Sequence, residues 1–116
     1  MSPEGQDGLF TEAQLWAFYV RFNEVYFRNV LPLPTEIAYA DKLPVSKRGA
    51  VACVIWVKVG ERLQGGYRIL LVRPFFRGKD PRLVLCSLLH EMVHIYELRF
   101  GRDQGDGHGP LFRRVC

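Results

Sequence analysis

The chain has 116 residues, 48% of them apolar and 24% charged, with a formal net charge of +4. That length holds one ordinary globular domain and excludes a second. No apolar run approaches the roughly 20 residues of a membrane helix. The opening Met1-Ser2-Pro3-Glu4-Gly5-Gln6-Asp7-Gly8 also lacks the basic and apolar blocks of a secretory signal. An intracellular protein without a membrane partner is therefore expected. Cys53, Cys86 and Cys116 form no C-x-x-C pair and are odd in number, which argues against a disulfide framework or a cysteine zinc knuckle.

In chain order, residues 1–10 are small and polar and read as a flexible leader, and 11–116 read as a single domain. Thr11-Glu12-Ala13-Gln14 fits a capping box. Behind it Leu15, Phe18, Tyr19, Phe22, Val25 and Tyr26 recur at spacings of three and four, the apolar face of a helix. Leu31-Pro32-Leu33-Pro34 predicts that this helix stops near Asn29. Residues 35–39, 50–59 and 67–73 are rich in β-branched, aromatic and aliphatic side chains, and turn residues separate them. They predict a small antiparallel or mixed sheet of about three strands. Asp80-Pro81 opens a long helix running to about Phe100, apolar on nearly every side and so expected in the interior. Gly101 is its expected C-cap, and Pro110 starts a short last helix over 111–116. The fold class expected is α+β.

The polar residues inside the long helix are His90-Glu91-Met92-Val93-His94. Four helical residues advance about 6 Å and return to within about 40° of one direction, so the two imidazoles converge. Two neutral imidazoles fill half of a zinc shell, and the glutamate beside the first can reach a water there. Burying two histidines and a glutamate with no such task is costly. The plainer alternative is a pair of core histidines bonded to carbonyls, with Glu91 turned to solvent. His108, thirteen residues beyond His94 within Gly105-Asp106-Gly107-His108-Gly109-Pro110, is the expected third ligand. Glu97, Asp103 and Asp106 are its rivals. Ile95-Tyr96-Glu97 follows His94, so the metzincin extension is absent. Cys86, four residues before His90, reads as a small core residue. Tyr67, Tyr96 and Arg102 are candidate donors to a developing oxyanion.

Three segments in order resemble the SprT-like zinc metalloprotease domain, whose best-known eukaryotic members are the Spartan proteases of DNA–protein crosslink repair. They are Phe22-Asn23-Glu24-Val25-Tyr26-Phe27 before Leu31-Pro32, Leu88-Leu89-His90-Glu91-Met92-Val93-His94, and Gly107-His108-Gly109-Pro110-Leu111-Phe112. The resemblance spans roughly residues 10 to 114, while Lys47-Arg48-Gly49-Ala50-Val51-Ala52-Cys53 matches the family's Thr-Ala-Gly-x-Cys segment only loosely. It implies a zincin-like fold and one zinc ion per chain, held by His90, His94 and His108, with Glu91 catalytic. It further implies a protein substrate, DNA as a partner, and residence in a eukaryotic nucleus or a bacterial cytoplasm. Lys47, Arg48, Arg73, Arg77, Lys79, Arg82, Arg99, Arg102, Arg113 and Arg114, with Phe75, Phe76 and Trp56 among them, suit phosphate contact and base stacking. The competing expectation is a catalytically inactive, zinc-stabilised module that binds nucleic acid or chromatin proteins. Many relatives continue into a cysteine-rich subdomain, so the chain is expected to be either a minimal member or the front part of a longer protein.

Overall fold

The computed structural model describes residues 2–44, 50–59 and 62–100. Its elements are α1 (Glu12–Tyr26), β1 (Glu36–Ala40), β2 (Ala52–Val59), β3 (Arg62–Val72), α2 (Arg73–Phe76) and α3 (Arg82–Phe100). The strand order is β1-β3-β2, with β1 parallel and β2 antiparallel to β3. This is an α+β fold with a mixed three-stranded sheet, as the sequence predicts. Among the described residues no helix is long and apolar enough to cross a membrane.

The registers Ile37↔Ile69↔Val54 and Tyr39↔Leu71↔Ala52 place these side chains on one face of the sheet, because successive strand residues alternate. That face carries the main core. Ile37, Tyr67, Ile69 and Leu71 are buried with Leu15 and Tyr19 of α1 and with Val84, Leu88, Met92, Val93 and Ile95 of α3. On the opposite face Ala38, Leu70 and Cys53 form a second, smaller cluster with Leu43 and Ile55 packed against it. α3 packs against α1, β2 and β3, and α1 also packs against β1.

α1 starts as its sequence predicts. Gln14 N donates to Thr11 Oγ1 at 3.1 Å, and Thr11 N donates to Gln14 Oε1 at 3.0 Å. Its buried side, however, is Gln14, Leu15, Tyr19 and Asn23, while Val25 and Tyr26 are 51% and 42% exposed. The apolar spacing thus misplaces the last turn of the buried stripe. The helix also ends before Asn29, and the prolines do not end it. Arg28 and Asn29 both take left-handed backbone, at φ 53° and 61°. Asn23 holds the reversal, its backbone oxygen accepting from Phe27 N at 3.1 Å and Asn29 N at 2.9 Å. Its side chain donates Nδ2–H to Leu31 O at 2.8 Å and accepts from Leu31 N at 3.2 Å.

β3 is followed at once by the single-turn helix α2, Arg73–Phe76, anchored by the fully buried Phe76. Asp80 then caps α3. Its Oδ1 accepts from Arg82 N at 3.0 Å, and its carboxyl, bonded by the Arg82 side chain, is lowered to about 2. The expectation that α3 lies wholly in the interior needs correction. Leu83 is 44% exposed and Cys86 is exposed rather than part of the core, since the first turns of α3 bury only one side, through Val84, Leu88 and Leu89. The leader expected over 1–10 also differs from its reading. Leu9 and Phe10 are core residues, and Phe10 packs edge-on against Phe18 of α1.

Candidate metal centre

The burial of α3 becomes all-round only in its second half, where Glu91, Met92, Val93, Ile95 and Glu97 are all buried. His90 and His94 lie one turn apart on this stretch, half-buried. Their Nε2 atoms approach to 2.7 Å, and the ring centroids are 4.5 Å apart with planes 38° to each other. One neutral ring can donate Nε2–H to the lone pair of the other, whereas two imidazolium rings at this distance repel. The convergence that helical spacing predicts is therefore present, with the ring nitrogens themselves at the point of contact.

These donors fit a zinc ion in type and direction. Two imidazoles at 2.0–2.1 Å from one tetrahedral ion stand about 3.3 Å apart. The 2.7 Å contact is tighter, so the rings must open slightly to admit the ion. Glu91 follows His90 about 100° around the helix. It is only 9% exposed. The plainer reading places Glu91 in solvent, and that detail does not hold.

Of the remaining expected site residues, His108, Asp103, Asp106 and Arg102 lie outside the described residues, as do Gly101 and 111–116. Among the described residues no group of three or more His, Cys, Asp or Glu side chains is placed to hold a metal. Tyr67 is removed as an oxyanion donor, since its hydroxyl, fully buried, donates to Pro32 O at 2.6 Å. Tyr96 packs its ring against Phe27, centroids 5.9 Å apart.

Asn23 and the Tyr19–Tyr67 pair position the chain around α1, a role that motif and spacing do not assign them. Asn23 carries one readable signal: it continues the i, i+4 series Leu15, Tyr19, Asn23 on the buried side of the helix. A polar residue in that series calls for a buried partner, here the backbone of Leu31. Compared with known proteins, the chain matches no protein-family model and no curated protein.

Proposed function

We propose that the protein is a zinc-dependent endopeptidase of the SprT-like type, with a zincin-like fold in which α3 is the metal-binding helix. The observation that carries this reading is the convergence of the His90 and His94 Nε2 atoms on one stretch of α3, in which the intervening Glu91 is buried. His90, His94 and His108 would hold one zinc ion. When bound, zinc supplies a positive charge that acidifies water and polarises the scissile carbonyl. Glu91 takes the proton from the attacking water and returns it to the leaving amine. The first half of α3, capped by Asp80 and anchored by Val84 and Leu88, fixes the direction from which the two imidazoles approach.

The proposed substrates are proteins bound or crosslinked to DNA. This rests on the resemblance and on exposed Arg77 and Lys79 beside the partly exposed Phe75, over whose ring Lys79 Nζ lies at 4.3 Å. Cations around an accessible aromatic ring suit phosphate and base contact.

Cleavage of a histone mixture by the zinc-loaded protein, with and without single-stranded DNA, tests the reading. Wild type is expected to cleave and to stop when zinc is chelated, whereas Glu91→Gln keeps its zinc and does not cleave. Equal cleavage by the two proteins overturns the role of Glu91. Zinc in both with cleavage by neither transfers the conclusion to a zinc-stabilised binding module.

A further inference from the structure

Residues 2–10 are attached to the body of the protein in two different ways. Their inner end is held by burial: Leu9 and Phe10 are 1% and 4% exposed, and Phe10 meets Phe18 edge-on at 4.9 Å between centroids. Their outer end is held by a set of polar contacts. Gln14 Nε2 donates to Ser2 O at 2.6 Å, and Gln14 Oε1 accepts from Glu4 N at 2.9 Å. Arg73 Nη1 donates to Asp7 Oδ2 at 2.7 Å. The Arg73 guanidinium lies 4.4 Å from the centre of the Tyr39 ring. Between the two ends, Gly8 takes left-handed backbone at φ 79°. A Cβ on Gly5 would stand 2.5 Å from the Leu9 carbonyl oxygen. Glycine at these two points permits a tight, reversible turn.

The outer segment forms one wall of a cleft of about 390 Å³, through Gly5, Gln6 and Asp7, while Glu12, Tyr39 and Arg73 contribute to the other. We propose that residues 2–8 are a strap over this cleft, latched by the Asp7–Arg73 pair and hinged at Gly8, and that opening it presents Arg73 to the carboxylate of an acidic ligand. The guanidinium has five N–H donors, and besides its bond to Asp7 it rests over the Tyr39 ring, a contact made by α2 and β1. An opened strap therefore leaves a planar donor already oriented for a carboxylate. Asp7 is the carboxylate that the chain itself places there.

The groups facing Asp7 are Arg73 from α2, Glu12 from α1 and Tyr39 from β1. The hydrogen bond from the Arg73 side chain holds the Asp7 carboxyl below its usual value. The latch is thus closed across the neutral range, and a competing carboxylate, rather than proton uptake, is the means of opening it.

Amide hydrogen exchange on the full chain tests this. Asp7→Asn keeps the shape and an acceptor for Leu9 N while removing the charge. Loss of a charge-assisted bond is expected to lower protection of the Gly5 and Gly8 amides by about tenfold or more, with Ile69 and Leu71 in β3 unchanged. Unchanged strap protection overturns the latch. A parallel loss in β3 overturns the strap as a separate unit. In the wild type, acetate is expected to open the strap more than chloride at matched ionic strength. Equal effects overturn the carboxylate assignment.

Discussion

Tyr19 and Tyr67, 48 positions apart in sequence, bring their hydroxyl groups together on a single carbonyl, that of Pro32. Each oxygen lies 2.6 Å from Pro32 O, and the two oxygens also contact one another. Both rings are fully buried. One acceptor thus ties α1, the central strand β3 and the connection into β1 together at the point where the chain reverses. Such an arrangement fixes the entry of β1 into the sheet more tightly than apolar packing alone, because hydrogen bonds are directional.

Tyr67→Phe keeps the ring and removes one donor. Tyr19 continues to satisfy Pro32 O, so the expected loss is about 1 kcal/mol, the ordinary net worth of a hydrogen bond. Removing both hydroxyls leaves a half-buried carbonyl without these donors and is expected to cost more than the two single changes added together, by at least about 0.5 kcal/mol. Urea denaturation of wild type, Tyr19→Phe, Tyr67→Phe and the double variant measures that coupling. Strict additivity would show that the two hydroxyls act independently.

Asn23→Ala is expected to be the costlier change. It leaves the Leu31 N–H and carbonyl, both bonded to the Asn23 side chain, without these partners in a buried position. Leaving such groups unsatisfied costs roughly 1–3 kcal/mol each. It also loosens the left-handed pair Arg28 and Asn29, which ordinary side chains adopt only at a cost. Asn23→Asp keeps the acceptor for Leu31 N but turns a buried carboxylate oxygen toward the Leu31 carbonyl, so at neutral pH it is expected to be at least as costly as Asn23→Ala. Denaturation of the three proteins checks the order.

These two clamps mark the boundary of what the sequence discloses. The capping box of Thr11 and Gln14 and the convergence of His90 and His94 are local, set by three- and four-residue spacings, and both are legible in the linear chain. The sheet is legible as three strands because turn residues separate its apolar runs. The helix end at Asn23 depends on Leu31, the single turn of α2 on the burial of Phe76, and the seating of residues 2–10 on Arg73, 66 positions from Asp7. Such contacts join distant positions and leave no periodicity. At the site itself the histidine pair is legible, while the burial of Glu91 is not: it arises from packing of the second half of α3 against the rest of the fold. The exposure of Cys86 is illegible for the same reason, since an apolar helix gives no sign of which end projects.

Tyr39 makes the alkaline limb of stability specific. Burial, the largest cause, pushes its phenol up to about 12 from an ordinary value near 10. The hydroxyl donates to Phe10 O at 2.7 Å. The neutral phenol is therefore favoured by folding. Its contribution is fully present below pH 10 and is lost as pH rises from about 10 to about 12, where the unfolded chain has released the proton and the folded one has not. The stability difference between wild type and Tyr39→Phe should be constant through the neutral range and shrink over that window. Thermal melts of both proteins at stepped pH read it directly. A difference that does not change with pH would place the phenol in an environment no different from water.

The zinc reading is decided most economically by metal content, because it separates the three histidines without a substrate. His90→Ala and His94→Ala each remove one of two donors whose Nε2 atoms already meet at 2.7 Å, so either change should abolish stoichiometric zinc. His108→Ala should weaken binding by a large factor while leaving the fold of α3 intact, since the helix is anchored independently through Val84, Leu88 and Met92. Purified wild type is expected to carry one zinc per chain, and far-ultraviolet circular dichroism should be unchanged in His108→Ala. Zinc retained at full stoichiometry in His108→Ala would make another group the third ligand. Zinc absent from the wild type would leave the imidazole pair as a hydrogen-bonded element of α3, with one ring donating to the other, and Glu91 as a buried carboxylate held for structure.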